Sequence, residues 1–352
     1  MVISGKNEMR RIAVVYNLKR SSDEHNYEFA SEDQVTDIVD ALAATYEVRV
    51  IEAPPRTMAW VPDLENFAPD LIFNLAEGYR SAAREAFYPA LYEQLGLLYT
   101  GSDPTAMLVT HNKQLTKSVV QARGVRCVKS MLLGQPFTAE HGCSHNDGDG
   151  CRLEQLLPAV VKPNTEGSSM GIHQRSIVHT HAELFDALDY ITSTFGSLAI
   201  MEEFIPRGID LSVSYVEGTS ESGVWDPIHY AYSGSEMLDA ETKNRRRERS
   251  ILDANAPLTQ NQRAAVRDAM QRAVKALGPR GYARADFRIA ENGVPYFLEM
   301  NCMPVFVNHR SDFLNPLFAA GWTFEQIVHL VADQASAKGE RLPSSGGFTS
   351  LG

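Results

Sequence analysis

Two carboxylates and an amide stand at fixed spacing near the C-terminal end of the chain. Asp286 lies in Tyr-Ala-Arg-Ala-Asp-Phe-Arg (282–288), and Glu299 and Asn301 lie in Phe-Leu-Glu-Met-Asn (297–301). Between them, Asn292-Gly293 flanked by alternating apolar residues is the strongest short-range signal for a hairpin. If Glu291 pairs with Val294, then Asp286 lies opposite Glu299 and Arg284 opposite Asn301, all four on one face. The other face then carries Ala285, Phe287 and Ile289 against Tyr296, Leu298 and Met300, an apolar surface to be covered. Facing carboxylates repel each other and ask for a cation, and oxygen-only ligands suit Mg²⁺. The alternative is that Arg284 and Arg288 neutralise the carboxylates in a surface ion-pair network.

Two further segments could carry chemistry. Val160-Val-Lys162-Pro-Asn-Thr-Glu-Gly167-Ser168-Ser169-Met-Gly171 reads as a strand ending in a lysine and opening into a Gly/Ser loop. Such a loop can wrap phosphates with backbone N–H groups, hydroxyls and a point charge, although Gly-x-x-x-x-Gly-Lys is missing and a plain turn would look similar. Ile200-Met-Glu202-Glu203-Phe-Ile205 places adjacent carboxylates at the end of an apolar strand, where main-chain groups could meet an adenine ring or the charges could simply be solvated.

These segments need elements to hold them. The 352 residues exceed what one core supports, so two or three domains are expected. An alternating β/α pattern, with strands at 12–16, 48–51 and 71–73 and a helix from Ser31, predicts a small parallel sheet. Ser31 and Gln34 form a capping box, and Val35, Ile38, Val39, Leu42, Ala43 and Tyr46 give that helix its apolar face. A helix over 83–95 and a strand over 97–100 close the unit before Gly101-Ser-Asp-Pro104. Helices over 104–109 and 112–122, strands at 125–133 and 159–162, a helix over 182–195 and a strand at 198–204 follow. A strand at 210–216, a polar loop at 233–250, a helix over 260–277, the hairpin and a helix over 322–336 complete the pattern. The fold class is α/β, becoming α+β toward the C-terminus. The expected units are 1–102, 103–203, 204–336 and a disordered polar tail, 337–352.

A net charge of −11 argues against a general nucleic-acid binder. No stretch is long and apolar enough to span a membrane and no signal-peptide core opens the chain, so a cytoplasmic protein is expected. Four cysteines (Cys127, Cys143, Cys151 and Cys302) make no disulfide framework in a chain of this length. His141, Cys143, His145 and Cys151 could be zinc ligands, but the Asn-Asp-Gly-Asp-Gly filler favours a surface loop.

Taken together and in order, Asn112-Lys113-x-x-x-Lys117, the Lys162 loop, the Glu202 strand and the Asp286/Glu299/Asn301 hairpin resemble the ATP-grasp superfamily, and within it D-alanine:D-alanine ligase and related carboxylate–amine ligases. Leu98-Tyr-Thr-Gly-Ser102 and Asp239-Ala-Glu-Thr-Lys243 agree. The resemblance, spanning roughly 71–305, implies an ATP-grasp fold behind a Rossmann-like N-terminal domain. It also implies ATP and two Mg²⁺ ions, with Mn²⁺ as a substitute, small-molecule carboxylate and amine substrates, and, from the habit of related ligases, a homodimer. It makes Lys113 and Lys162 the phosphate lysines and places Ser168 and Ser169 in the phosphate-covering loop. Glu202, Glu203 and Ile205 become the adenine strand, Asp210 the ribose acid, and Lys243 the loop lysine that reaches the γ-phosphate. Asp286, Glu299 and Asn301 become the metal ligands, and Arg284 the group that stabilises an acyl phosphate. Arg284, Ser168 and Lys243 would serve catalysis, and Glu85, Asn244, Arg310 and Ser311 the substrates.

Some positions depart from the family pattern. No glutamate equivalent to that of the family's first Gly-Gly-x-Ser-x-Glu loop follows Asn17-Leu-Lys-Arg-Ser-Ser22. Asn244 replaces a tyrosine, Val305 a glycine, and Arg310, beside Ser311, aligns with a serine. The expectation is therefore an amide-forming ligase acting through an acyl phosphate on an amino acid or small peptide, with a product other than D-alanyl-D-alanine. The alternatives are a genuine D-alanine:D-alanine ligase and a nucleotide-binding regulatory protein without turnover. The basic run 243–249 is read as a phosphate or acidic-substrate contact in preference to an RNA patch.

Overall fold

The computed structural model describes residues 11–20, 28–134, 156–167, 169–230, 252–253, 257–309 and 311–339. In chain order its elements are β1 (Arg11–Tyr16), α1 (Glu32–Ala43), β2 (Glu47–Glu52), α2 (Val61–Phe67), β3 (Leu71–Leu75), α3 (Arg84–Gln94), α4 (Pro104–His111), α5 (Lys113–Gln121), β4 (Ser130–Leu133) and β5 (Ala159–Pro163). There follow β6 (Ile177–Val178), α6 (His181–Phe195), β7 (Ala199–Glu203), β8 (Ile209–Val216), β9 (Ile228–Tyr230), β10 (Leu252–Asp253), α7 (Gln260–Leu277), β11 (Tyr282–Ile289), β12 (Pro295–Asn301), α8 (Asn315–Ala319) and α9 (Phe324–Gly339).

The first sheet is parallel, in the order β2-β1-β3. Its central strand is a continuous apolar run because both faces are covered. Ile12 and Val14 pack with α1 residues Ile38 and Leu42, whereas Ala13 and Val15 pack with Leu64 of α2 and Tyr88 and Tyr92 of α3. Ser31 caps α1 by accepting from the Gln34 N–H at 3.2 Å. Ala43, expected on the buried face, is exposed. The strand expected over 97–100 is reduced to a single bridge between Ile72 and Tyr99. α9 runs to Gly339, three residues into the segment expected to be a disordered tail, and residues 340–352 lie outside the described residues.

Two antiparallel sheets follow. One has the order β4-β7-β5-β6 and is backed by α6; the other has the order β10-β9-β8-β11-β12 and is backed by α7. α5 contacts both β4 and β12, and so spans the two. The strand expected over 125–133 is confined to β4, and α2, β6, β9, β10 and α8 were not anticipated from the sequence pattern.

The hairpin reaches the expected pairing by a different route. Gly293 donates to the Ala290 carbonyl at 2.8 Å, and Ala290 donates to the Val294 carbonyl at 3.0 Å, so Ala290 and not Glu291 faces Val294. The connection is a three-residue loop with Gly293 at φ +80, which shifts the register by one residue. A bulge at Leu298 shifts it back, because Phe287 pairs with Phe297 and Asp286 with Glu299. Beyond the bulge Arg284 faces Asn301, as expected. Between turn and bulge the face assignment is corrected: Phe297 points into the core, edge-to-face with Phe287 at 5.5 Å, while Tyr296 and Leu298 are only half-buried.

Because Gly293 sits in the left-handed region and a Cβ there would come 2.9 Å from Gln262 Nε2, Gly293→Ala should destabilise the protein by about 1 kcal/mol or more in urea unfolding.

Candidate active site

A cavity of about 110 Å³ opens between the two antiparallel sheets. Lys162 and Glu202 line it from one sheet, and Asp210, Asp286 and Glu299 from the other, with Val128, Val160, Phe204 and Leu211 as apolar wall.

Glu202 organises its floor. It is almost wholly buried, and its two carboxylate oxygens each meet a lysine Nζ at 3.0 Å, Lys117 on one side and Lys162 on the other. Burial alone would raise the Glu202 pKa, but Lys117 and then Lys162 hold it below the ordinary carboxylate value. Burial lowers Lys117 despite Glu202, whereas at Lys162 the same burial is overcome by Glu202 and then Glu299, and its ammonium is held above its usual value. Lys117 also donates to the Leu298 carbonyl at the bulge, tying α5 to β12. Lys117 entered the sequence reading only as part of a spacing, and a lysine on the buried side of an otherwise amphipathic helix was the signal for it.

Lys113 opens α5, whose N-cap is Asn112, accepting from the Leu115 N–H at 2.9 Å. Asn164 of the Gly/Ser loop accepts from the Lys113 N–H and, through its side chain, from the Gln114 N–H, both at 3.0 Å. Loop and helix are therefore clamped together, with the Lys113 ammonium bonded to the Glu166 carbonyl and 3.5 Å from Glu299. Ser169, at φ +60, lines the cavity.

The hairpin brings Asp286 and Glu299 opposite one another. Arg284 holds Asp286 through two hydrogen bonds of 3.0 and 2.9 Å, and the Asn301 side-chain oxygen accepts from the Met303 N–H at 2.6 Å. Arg288 goes elsewhere, to Asp210 at 2.6 Å and the Ile205 carbonyl at 2.8 Å, so it does not neutralise the carboxylate pair. Glu203, the last residue of β7, is exposed. Ser311 is buried with its hydroxyl on the Val305 carbonyl.

Glu85, in the first turn of α3, lies beside His111 Nδ1 at 2.7 Å and Arg84 at 3.6 Å. Burial pushes it up, but His111 and then Arg84 draw it down to about 2. Glu28, Glu77, Arg84, His111 and Glu166 gather around it, a cluster the sequence reading missed because its members are scattered from 28 to 166. Ser168, Lys243, Asn244 and Arg310 lie outside the described residues, as do His141, Cys143, His145 and Cys151.

Residues 123–332, which include the Gly/Ser loop, the cavity and the hairpin, match the family model described as D-ala D-ala ligase C-terminus. The chain belongs to the D-alanine–D-alanine ligase family. The D-alanine–D-alanine ligase of Moorella thermoacetica is 30% identical over 278 residues, 78% of this chain and 85% of that protein. A relative from Sinorhizobium fredii, uncharacterized protein y4sG, is 27% identical over 267 residues, 75% of this chain and 74% of that one. The crystal structure of D-alanine–D-alanine ligase from Bacillus anthracis complexed with ATP superposes with a TM-score of 0.71 at 20% identity, covering 94% of this chain and 99% of that one, so the fold is the ATP-grasp fold. The protein is thus an ATP-dependent ligase that forms carbon–nitrogen bonds, in a family that uses ATP and Mg²⁺ and acts on small molecules. No helix among the described residues is long and apolar enough to cross a membrane.

Two substitutions test the electrostatics. Glu202→Ala removes the carboxylate that two buried lysines share and should lower stability by roughly 3–5 kcal/mol in denaturant unfolding. Glu85 has a folded pKa of about 2 against an ordinary 4.5, so its stabilisation is complete above 4.5 and is lost as pH falls toward 2. Glu85→Gln should therefore be less stable than wild type at pH 7, with a deficit that shrinks through that window in pH-dependent urea melts.

Proposed function

We propose that the protein joins the carboxylate of one amino-acid-like small molecule to the amine of another through an acyl phosphate, converting ATP to ADP and phosphate. The observation that supports this most is the opposed pair Asp286 and Glu299, with Lys113 3.5 Å from Glu299 and the Lys162–Glu202–Lys117 group in the same region. Phosphoryl transfer asks mainly for positioning and charge neutralisation, and these groups are of the right kind.

Asp286, Glu299 and Asn301 are assigned as holders of two Mg²⁺ ions, for which Mn²⁺ should substitute. Their oxygen-only donors and the antiparallel pairing of the two acids fit hard cations. When bound, the ions would neutralise phosphate charge. Lys113 and Lys162 are assigned to the phosphates with Ser168, Ser169 and Lys243, the last as the loop lysine on the γ-phosphate. With Glu202 engaged by two lysines, the main chain of Glu203 to Ile205 is the edge we assign to adenine. Asp210 is assigned to the ribose, and Arg284 to the charge that develops on the acyl phosphate. Glu85, Asn244, Arg310 and Ser311 are kept as substrate contacts, the units 1–102, 103–203 and 204–336 as domains, and a homodimer as the assembly.

The sequence-based expectation of a product other than D-alanyl-D-alanine finds no support in the comparisons, because the relatives with assigned activities are named D-alanine–D-alanine ligases. D-alanine therefore heads the substrate panel, and the unaltered nucleotide chemistry is the common ground of both readings.

The test is amino-acid-dependent phosphate release with mass spectrometry of the product. Glu299→Gln should retain the fold and lose at least 99% of turnover, and excess chelator should do the same to wild type. GTP should be a poor replacement for ATP if the β7 edge reads adenine. Full activity of Glu299→Gln, or full activity in the presence of excess chelator, would end the metal assignment.

A further inference from the structure

The sheet face that carries Asp286 and Glu299 continues one strand further. β8 and β11 pair from Ile209–Ile289 to Val216–Tyr282 without a register shift, which sets Ser212 directly opposite Asp286 on one side as Glu299 is on the other. Ser212, Asp286 and Glu299 therefore form one row across three neighbouring strands, where cross-strand Cβ atoms are about 4.5–5.5 Å apart. The alternation agrees, because Leu211 and Val213, on either side of Ser212, pack in the same core as Ala285 and Phe287.

β8 puts three polar side chains on this face. Asp210 is bound by Arg288 at 2.6 Å, and the Ser214 hydroxyl donates to the Phe313 carbonyl at 2.6 Å. Ser212, between them, is 1% exposed, and its hydroxyl has no hydrogen-bond partner among the described residues. A hydroxyl withdrawn from water and left unpaired costs stability that an alanine would not. The two acids of the row are more open, with 20% and 25% of their side chains exposed, and both line the cavity. A cation can thus reach Asp286 from the cavity, while Ser212 flanks it on the buried side.

Both Asp286 oxygens accept from Arg284. Asp286 is also assigned to Mg²⁺, and a dication and a guanidinium at one carboxylate repel each other, so the hold of Arg284 weakens as the ion binds. A ligating carboxylate needs a hydrogen-bond donor to fix its orientation. Ser212 is the buried donor directly across from it.

We propose that Ser212 is a positioning residue for the metal site, its hydroxyl donating to the Asp286 carboxylate when a cation displaces Arg284 from it. This rests on the metal assignment made above and adds the group that orients one of the ligands. The serine itself touches neither ion nor substrate.

The experiment titrates Mn²⁺ into the full chain with a non-hydrolysable ATP analogue, reading bound Mn²⁺ by electron paramagnetic resonance, for wild type, Ser212→Ala, Ser212→Thr and Glu299→Gln. Metal-free thermal melts and amino-acid-dependent phosphate release are measured alongside. Ser212→Ala should melt at or above wild type without metal, since it loses an unpaired hydroxyl, yet bind Mn²⁺ about tenfold or more weakly. Ser212→Thr, which keeps the hydroxyl, should bind Mn²⁺ within threefold of wild type. A Ser212→Ala affinity within twofold of wild type, while Glu299→Gln loses the ion, would overturn the proposal and leave the metal assignment standing. A metal-free Ser212→Ala that melts several degrees below wild type, or a folded Ser212→Thr as weak as Ser212→Ala, would also overturn it, because the hydroxyl would then be structural or irrelevant. No Mn²⁺ binding by wild type would remove the metal assignment and the proposal together. Hydroxyl-dependent Mn²⁺ binding without phosphate release from any amino acid would uphold the proposal and remove the ligase reading.

Discussion

The candidate site depends on one buried carboxylate shared by two buried lysines. Glu202 on β7, Lys162 on β5 and Lys117 on α5 come from three elements, and none of their charges could stay so far from water alone. The lysines are needed for Glu202 to remain ionised, and Glu202 for Lys162 to keep its charge. Lys117 extends the constraint to the other sheet through the Leu298 carbonyl. The space between the sheets is thereby held polar on its floor and apolar on its walls, a combination suited to a flat ring with a charged tail.

Leu298 joins this network to the carboxylate pair. As the bulged residue it lies outside the regular cross-strand pairing, and its carbonyl faces a lysine. The same bulge cancels the one-residue shift of the three-residue turn and so sets Asp286 against Glu299. Without it, every β12 side chain beyond that point would change faces, and Glu299 would point to the core side with Ala285 while Asp286 stayed where its pairing with β8 holds it. Bulges beside sites commonly re-aim side chains in this way.

A second concentration of charge lies where the N-terminal unit meets the Gly/Ser loop. Arg84 connects Glu28, which precedes α1, with Glu166 of the loop, and His111 connects α4 to α3 through Glu85. Together they make the loop contiguous with both the hairpin carboxylates, through Lys113, and the acidic cluster of Glu28, Glu77 and Glu85. An apolar join is formed elsewhere: Phe306, Phe313, Leu317 and Ile327 pack on the same face of the first sheet as Ile38 and Leu42. The C-terminal segment is thus part of the N-terminal core, which also fixes the strand ends from which the hairpin departs.

The amino-acid sequence by itself determined the reaction class. The alternating β/α run of the first sheet, the lysine before the Gly/Ser loop, the acids on the terminal hairpin and their common order were all legible, because period-two and period-3.6 patterning and turn residues act over short stretches. The pairing of Asp286 with Glu299 was also legible, although by a register argument whose turn assignment was one residue off. Only the tertiary structure decided that Lys117 shares Glu202 with Lys162, that Arg288 serves Asp210 rather than the hairpin acids, and that Phe297 replaces Tyr296 and Leu298 in the core. It alone gathered Glu28, Glu77, Glu85 and His111. The reason is physical: local patterning fixes which way a side chain points along its own element, whereas the partner of a buried charge is chosen by desolvation and packing among separate elements tens of residues apart.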